Sequence, residues 1–447
     1  MTGQLALSFA WYGVAGWLYF ALVGGAAAPW LLPRAWRIFW PAAVPFLGWA
    51  VVVALVYPLN AALPALPVLR VLGILAIALC GVRAVRLRSQ AWPRCEPTVW
   101  IPIATGVAAY AAHASLYVRA GTLSSLVADS DVEHFADVVA ALLHYPIGWS
   151  LEAQMGLEAT PVGLAYHYVH AALSGVTGAD TFATASASHL LMLALAPSSV
   201  YVFARSVLSA PPRAAAGAAA LGALHGAGLG VAAFGWGQQM SALSSVPAGI
   251  AAVHEAICRG DRRDVLGGGL VAALAAGSLY LATAPLIGAT AALYGLALVV
   301  REGRIRPLSR AAALAVVVSL AGVLSHVSAA GFFVVRGGLG GEDTSGRSTH
   351  VATFVSPLEL LGGAPIALFR PPSRAGEGGL RDVIYASAAG SAALLAGIGA
   401  VRSRRITMLG AFVAGSVAFD LYLRVLRPFP YGEFKLLTSA WFIVPCL

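Results

Sequence analysis

Twelve apolar runs of 15 to 25 residues divide the chain, at about 8–32, 38–58, 67–82, 97–118, 183–204, 214–233, 237–257, 265–282, 286–300, 311–334, 383–401 and 406–424. A helix needs about 20 apolar residues to cross roughly 30 Å of hydrocarbon, so these runs have the length of membrane spans. The rest of the sequence agrees. It is 59% hydrophobic and 11% charged, against about 25% charged in soluble domains, and its mean hydropathy is +0.80. No soluble fold can hide that much apolar surface. The expectation is an all-α polytopic membrane protein of about 12–13 spans. The first run, Leu5 to Leu32, is too long for the core of a signal peptide. The final stretch, Leu436 to Leu447, is only twelve residues. It reads as half a span, or as a chain that continues further.

Net charge is +9. In so apolar a chain this reflects Arg-rich loops rather than nucleic-acid binding. The clusters are Arg83/Arg86/Arg88/Arg94, Arg259/Arg262/Arg263, Arg301/Arg304/Arg306/Arg310 and Arg402/Arg404/Arg405. If all four face the cytoplasm, Pro161 to Val176 must be a non-spanning segment that lies along the outer interface or dips in and returns. The loops 119–182 and 335–382 then lie outside. Three N-terminal spans (1–96) precede a main transmembrane domain, 97–447. The four cysteines, Cys80, Cys95, Cys258 and Cys446, are far apart with no CxxC spacing. They read as free thiols, indicating neither a disulfide framework nor a metal site.

Against this apolar background "ADSDVEHFADVV" stands out, crowding Asp129, Asp131, Glu133, His134 and Asp137 into nine residues. Repulsion among neighbouring carboxylates must be offset by a cation, by a base role or by plain solvation of a helix start. Val132, Phe135, Val139, Leu142 and Leu143 recur at three- and four-residue steps. They predict an amphipathic helix at the membrane surface, with Asp129 as its N-cap.

An acidic motif in the first large outer loop resembles the GT-C superfamily of membrane glycosyltransferases. "DVEHF", Asp131 to Phe135, is similar to the Asp-Glu-x-His-Phe pattern of protein O-mannosyltransferases, with the Glu displaced by one. More loosely, it resembles the Asp-Pro-aromatic-aromatic-His motif of oligosaccharyltransferase catalytic subunits. "YHYVHAALSGVTGAD", Tyr166 to Asp180, is similar to the second interfacial helix of bacterial members. "FGWGQQMSALSSVPAG" (Phe234 to Gly249) and "YGEFKLL" (Tyr431 to Leu437) are similar to segments of uncharacterised ones. The resemblance implies a GT-C-like helix bundle in the plasma (inner) membrane of a bacterial cell envelope, its active site facing outward. It implies transfer of a sugar, with inversion, from a polyprenyl-phosphate donor to a glycan, lipid or protein acceptor. A general base must deprotonate the acceptor hydroxyl. Cationic help, from a side chain or a divalent ion such as Mg or Mn, must reach the departing phosphate. Asp131 is the first candidate base and Asp129 the second, and both are candidate metal ligands. Glu133 and His134 would orient the acceptor or help hold the ion.

Other residues join the candidate binding set. Lys435 is the only lysine, and suits a phosphate contact or interfacial snorkelling. Arg427 and Tyr431 lie beside it, while Arg424 or Arg427 is a natural partner for Asp420. Tyr166, His167 and His170 form a helical face that suits a cavity wall or an interface anchor. A zinc site from His134, His167 and His170 has no supporting spacing. Trp236, Gln238 and Gln239 suit a hydroxyl-rich ligand or helix capping. His225 and His326 lie within apolar runs. Glu342, Asp343, Arg347 and His350 sit in a Gly-rich loop, a lid or a solvated linker. Two rival readings are a transporter or flippase of lipid-linked saccharides and a non-catalytic envelope scaffold. The spans hold little midplane charge and show no repeated halves, which disfavours transport.

Overall fold

A computed structural model describes residues 2–86, 94–123, 130–146, 165–223, 237–278, 283–318, 320, 407–422, 436 and 439–446. Among them every regular element is helical and none is a strand. We number the helices α1 (Thr2–Leu31), α2 (Trp40–Asn60), α3 (Ala65–Arg86), α4 (Trp100–Ala120), α5 (Ser130–His144), α6 (Ala165–Thr177), α7 (Thr181–Ser206), α8 (Pro212–Ala223), α9 (Gly237–Arg259), α10 (Arg262–Ala276) and α11 (Thr283–Glu302). There follow α12 (306–318), α13 (Thr407–Leu421) and a last turn, α14 (Ile443–Cys446).

Among the described residues, seven helical segments are long and apolar enough to cross a membrane: Thr2–Leu31, Arg34–Asn60, Ala65–Arg86, Pro97–Ala120, Thr181–Ser206, Gln239–Arg259 and Thr283–Glu302. Five further expected spans are shorter, partly described or outside the described residues. Helices α8, α10, α12 and α13 cover four of them in part, and the run at 383–401 is not described.

Local chemistry sets several of the helix ends. Gly121 closes α4 in the left-handed region at φ 73°, a conformation that costs glycine nothing. The Asp180 side chain accepts from the Phe182 amide at 2.8 Å and caps α7, satisfying one of the unpaired amides of the first turn.

Helices α7 and α9 form the centre, with 94% and 89% of their most apolar windows buried. At the periphery, α3 and α4 are buried over only 17% and 28%. They present exposed Val71, Ile74, Leu75, Ile77 and Val107, a composition suited to hydrocarbon rather than water. The hydrophobic core runs without a break across residue 96, because α1 and α2 pack on α6, α7 and α10.

Polar contacts tie several helix ends together at one end of the bundle. The Arg83 guanidinium donates to Gly25 O. The Arg34 amide donates to Asp264 Oδ1 at 2.9 Å, and the Arg34 guanidinium pairs with Asp261 at 3.0 Å. The Arg310 guanidinium donates to Ile257 O and Cys258 O. The basic clusters around residues 83–86, 259–263 and 301–310 therefore share one end, as the sequence reading expects of them. The cluster at 402–405 lies outside the described residues.

Candidate functional site

The opposite end is built around α5. Phe135, Val139, Leu142 and Leu143 are buried, while Asp137 and His144 are exposed. The amphipathic helix expected from the sequence is therefore present, with its apolar face turned inward. Positions 131, 133 and 134 lie in its first turns, and Asp129 lies outside the described residues. On the helix backbone, position 131 precedes Phe135 by four residues and so continues the Phe135–Val139–Leu142 stripe.

That stripe meets α6. The Phe135 ring lies edge-on to Tyr166, centroids 5.3 Å apart, and edge-on to His167, also at 5.3 Å. The motif helix and the second helix, separated by residues 145–164 in sequence, are thus brought face to face. Asn60, at the end of α2, holds the junction. Its amide donates to Leu63 O, Leu142 O and Tyr145 O, and its carbonyl accepts from the Tyr168 hydroxyl at 3.1 Å. Asn60 is fully buried, so these bonds offset the cost of removing an amide from water.

Helix α6 is enclosed by protein. Every residue from Ala165 to Gly175 is buried. The Trp49 indole, midway along α2, donates to Ala165 O at 3.1 Å, and Leu173 packs beside Gly16, midway along α1. This thirteen-residue helix lies within the bundle, beside α2. Tyr166, His167 and His170 are internal side chains.

The Tyr166 ring is the hub of an aromatic and imidazole cluster. It stacks on His189 of α7 (5.0 Å, interplanar angle 9°) and touches His167 and His170 at 5.3 and 5.9 Å. His170 Nε2 lies 2.8 Å from Thr181 O and 3.2 Å from Thr184 Oγ1. Burial pushes the His170 imidazole down to about 4 and the Tyr166 phenol up. Both are neutral at pH 7, so the cluster is a set of uncharged donors and acceptors in a low-dielectric setting.

His189 belongs to this group, and its residue type gave no signal within an otherwise ordinary apolar run. Both of its ring nitrogens are buried without a hydrogen-bond partner among the described residues, as are His170 Nδ1 and Gln239 Nε2. Gln239 lies at the same level. Ser244 of α9 bonds to Met192 O and the Ala248 amide to Ser199 Oγ. The two helices therefore run parallel, with Gln239 near the level of Ser188.

The described residues thus bring together α5, Tyr166, His167, His170 and His189, with Gln239 buried near the same level. The side chains of Asp131, Glu133, His134 and Gln238 lie outside the described set, as do Trp236, Arg427, Tyr431 and Lys435 entirely. His225, His326 and the 342–350 loop also fall outside it. Among the described residues no three His, Cys, Asp or Glu side chains are grouped to hold a metal ion. No protein-family model matches the chain, and neither a curated protein nor a solved structure gives a significant match.

Proposed function

We propose that the chain is a multi-pass integral membrane protein that transfers a sugar from a polyprenyl-phosphate donor to an acceptor hydroxyl, at the end of the bundle built by α5 and α6. The packing of Phe135 against Tyr166 and His167 carries this reading. It brings the helix that carries the acidic motif against a buried, uncharged polar cluster. The basic clusters at the opposite end favour an extracytoplasmic location for α5.

In the proposed step the Asp131 carboxylate accepts the proton of the acceptor hydroxyl. The freed oxygen attacks the anomeric carbon from the face opposite the lipid phosphate. The bond from that carbon to the phosphate oxygen breaks, its electron pair leaves with polyprenyl phosphate, and the configuration inverts. Lys435 and Arg427 are the side chains suited to the departing negative charge. The Asp129 and Asp131 carboxylates suit a hard cation such as Mg or Mn, and no step above depends on one. Glu133, His134, Tyr166, His167, His170, Trp236, Gln238, Gln239 and Tyr431 are the side chains assigned to holding acceptor and donor.

The test is Asp131→Asn in reconstituted membranes supplied with a polyprenyl-phosphate sugar. Transfer should fall by roughly 100-fold or more, while retention of the radiolabelled donor is unchanged. Undiminished transfer in this variant would remove Asp131 from the chemistry. Donor crossing the bilayer without transfer would favour a flippase.

A further inference from the structure

The other end of the bundle carries a group of side chains that this reading does not use. Along α9 the sequence runs His254, Glu255, Ala256, Ile257, Cys258, so His254 and Cys258 stand one turn apart on one face. Tyr294 of α11 packs against that face. Its Oη lies 2.8 Å from His254 Nδ1 and 2.9 Å from Cys258 Sγ, and Nδ1 is 3.8 Å from Sγ. Cys258 is the only one of the four cysteines that is exposed. Glu255 turns elsewhere, to Arg259 at 2.7 Å.

A clasp between two helices needs only one of these bonds. What this group adds is an imidazole nitrogen, a sulfur and a phenol oxygen converging on one point at the exposed end of α9. We propose that His254, Cys258 and Tyr294 bind a borderline-soft transition-metal ion of the zinc class, with water from the open side as fourth ligand. Nitrogen and sulfur held by one tetrahedral zinc ion stand about 3.5 Å apart, and the observed separation of 3.8 Å lies within about 0.3 Å of that. The two edges to Tyr294 Oη have hydrogen-bond lengths, so the phenol must draw back by about half an ångström to ligate. Sulfur with imidazole selects zinc-like or cuprous ions over magnesium or calcium. On binding, the ion replaces the thiol and phenol protons, which leave to solvent, and no electron is transferred. The Arg310 guanidinium holds the carbonyls of Ile257 and Cys258 at 3.1 and 2.7 Å and so fixes the end of α9 that presents the sulfur.

The site is independent of the transferase reading, since it occupies the opposite end of the bundle. Full-length metal-free protein in detergent is titrated with cobalt(II). A saturable sulfur-to-cobalt charge-transfer band should grow in and collapse on adding zinc. Cys258→Ser should abolish the band, and Cys80→Ser should leave it intact. His254→Ala should weaken binding by roughly 100-fold and Tyr294→Phe by roughly tenfold. A second readout needs no variant: bound zinc should slow maleimide labelling of Cys258 in the wild-type protein by about tenfold or more. The proposal is overturned if wild-type protein gives no band, if the band survives Cys258→Ser, or if zinc leaves the labelling rate of Cys258 unchanged.

Discussion

Gly24 of α1 and Gly48 of α2 meet backbone to backbone. A Cβ on Gly24 would lie 2.0 Å from Val44 O, and one on Gly48 would lie 1.9 Å from Phe20 O. Main-chain atoms cannot move aside as a flexible side chain can, so only hydrogen at both positions permits this crossing. Gly48→Ala is expected to force the two helices apart and lower stability by about 2–3 kcal/mol. Gly217 in α8 is the control, since a Cβ there meets nothing within 4 Å. Gly217→Ala should raise stability by about 0.5–1 kcal/mol through helix propensity alone. Thermal unfolding of both variants in detergent decides it, and equal shifts would show that the crossing tolerates a methyl group.

At the basic end, Glu96 and Arg205 form a largely buried ion pair, and the Tyr201 hydroxyl donates to Glu96 Oε2 at 2.7 Å. The Arg205 guanidinium also donates to Ala210 O. Together these contacts fasten the segment entering α4 to the end of α7. Arg205→Met leaves a carboxylate buried beside a single hydroxyl and should cost about 3–5 kcal/mol. The double variant Glu96→Gln/Arg205→Met should recover part of that loss, because no unpaired charge remains. Unfolding midpoints of the two variants and the wild type give the comparison. A double variant no more stable than Arg205→Met would place the cost in packing and not in charge.

Burial sets the sign of the pH dependence at His170. Its ring is depressed from 6.5 to about 4, so the unfolded chain takes up a proton at a higher pH than the folded one. Stability from this residue is therefore complete above pH 6.5 and falls as pH drops from 6.5 towards 4, by about 3 kcal/mol in all. Thermal midpoints measured across that window should decline, and His170→Gln should flatten the decline. A profile identical in the two proteins would mean that His170 is already charged in the fold.

The helical architecture was legible because apolar runs of span length leave few alternatives, and the amphipathic stripe of α5 follows from its three- and four-residue spacing. The burial of α6 was not legible. Its composition, with Tyr166, His167, Tyr168 and His170, suits a water interface as well as a protein interior. What decides between them is a tertiary contact, the Trp49 indole on Ala165 O, which no local pattern encodes. Asn60 and His189 escaped for the same reason, each being a single polar residue in an apolar run whose partners come from other helices. Cysteine spacing could not find the His254–Cys258–Tyr294 group, because its third member arrives from α11.

The seating of the acidic turn can be tested apart from its chemistry. Phe135 contributes no chemical group, but its ring occupies the angle between Tyr166 and His167. Phe135→Leu keeps the site apolar and should cost only about 1–1.5 kcal/mol of stability. If the contact aims position 131, the same variant should lower transfer by roughly tenfold or more, because a displacement of about 1 Å is costly in a positioned reaction. Donor affinity should stay near wild type, which places the loss in turnover rather than in binding. Parallel transfer assays and unfolding curves for Phe135→Leu and Val139→Ala make the comparison, since Val139 is also buried but one turn further from position 131. If the two variants lose transfer only in proportion to their lost stability, the Phe135 contact supports the fold and does not position the acid.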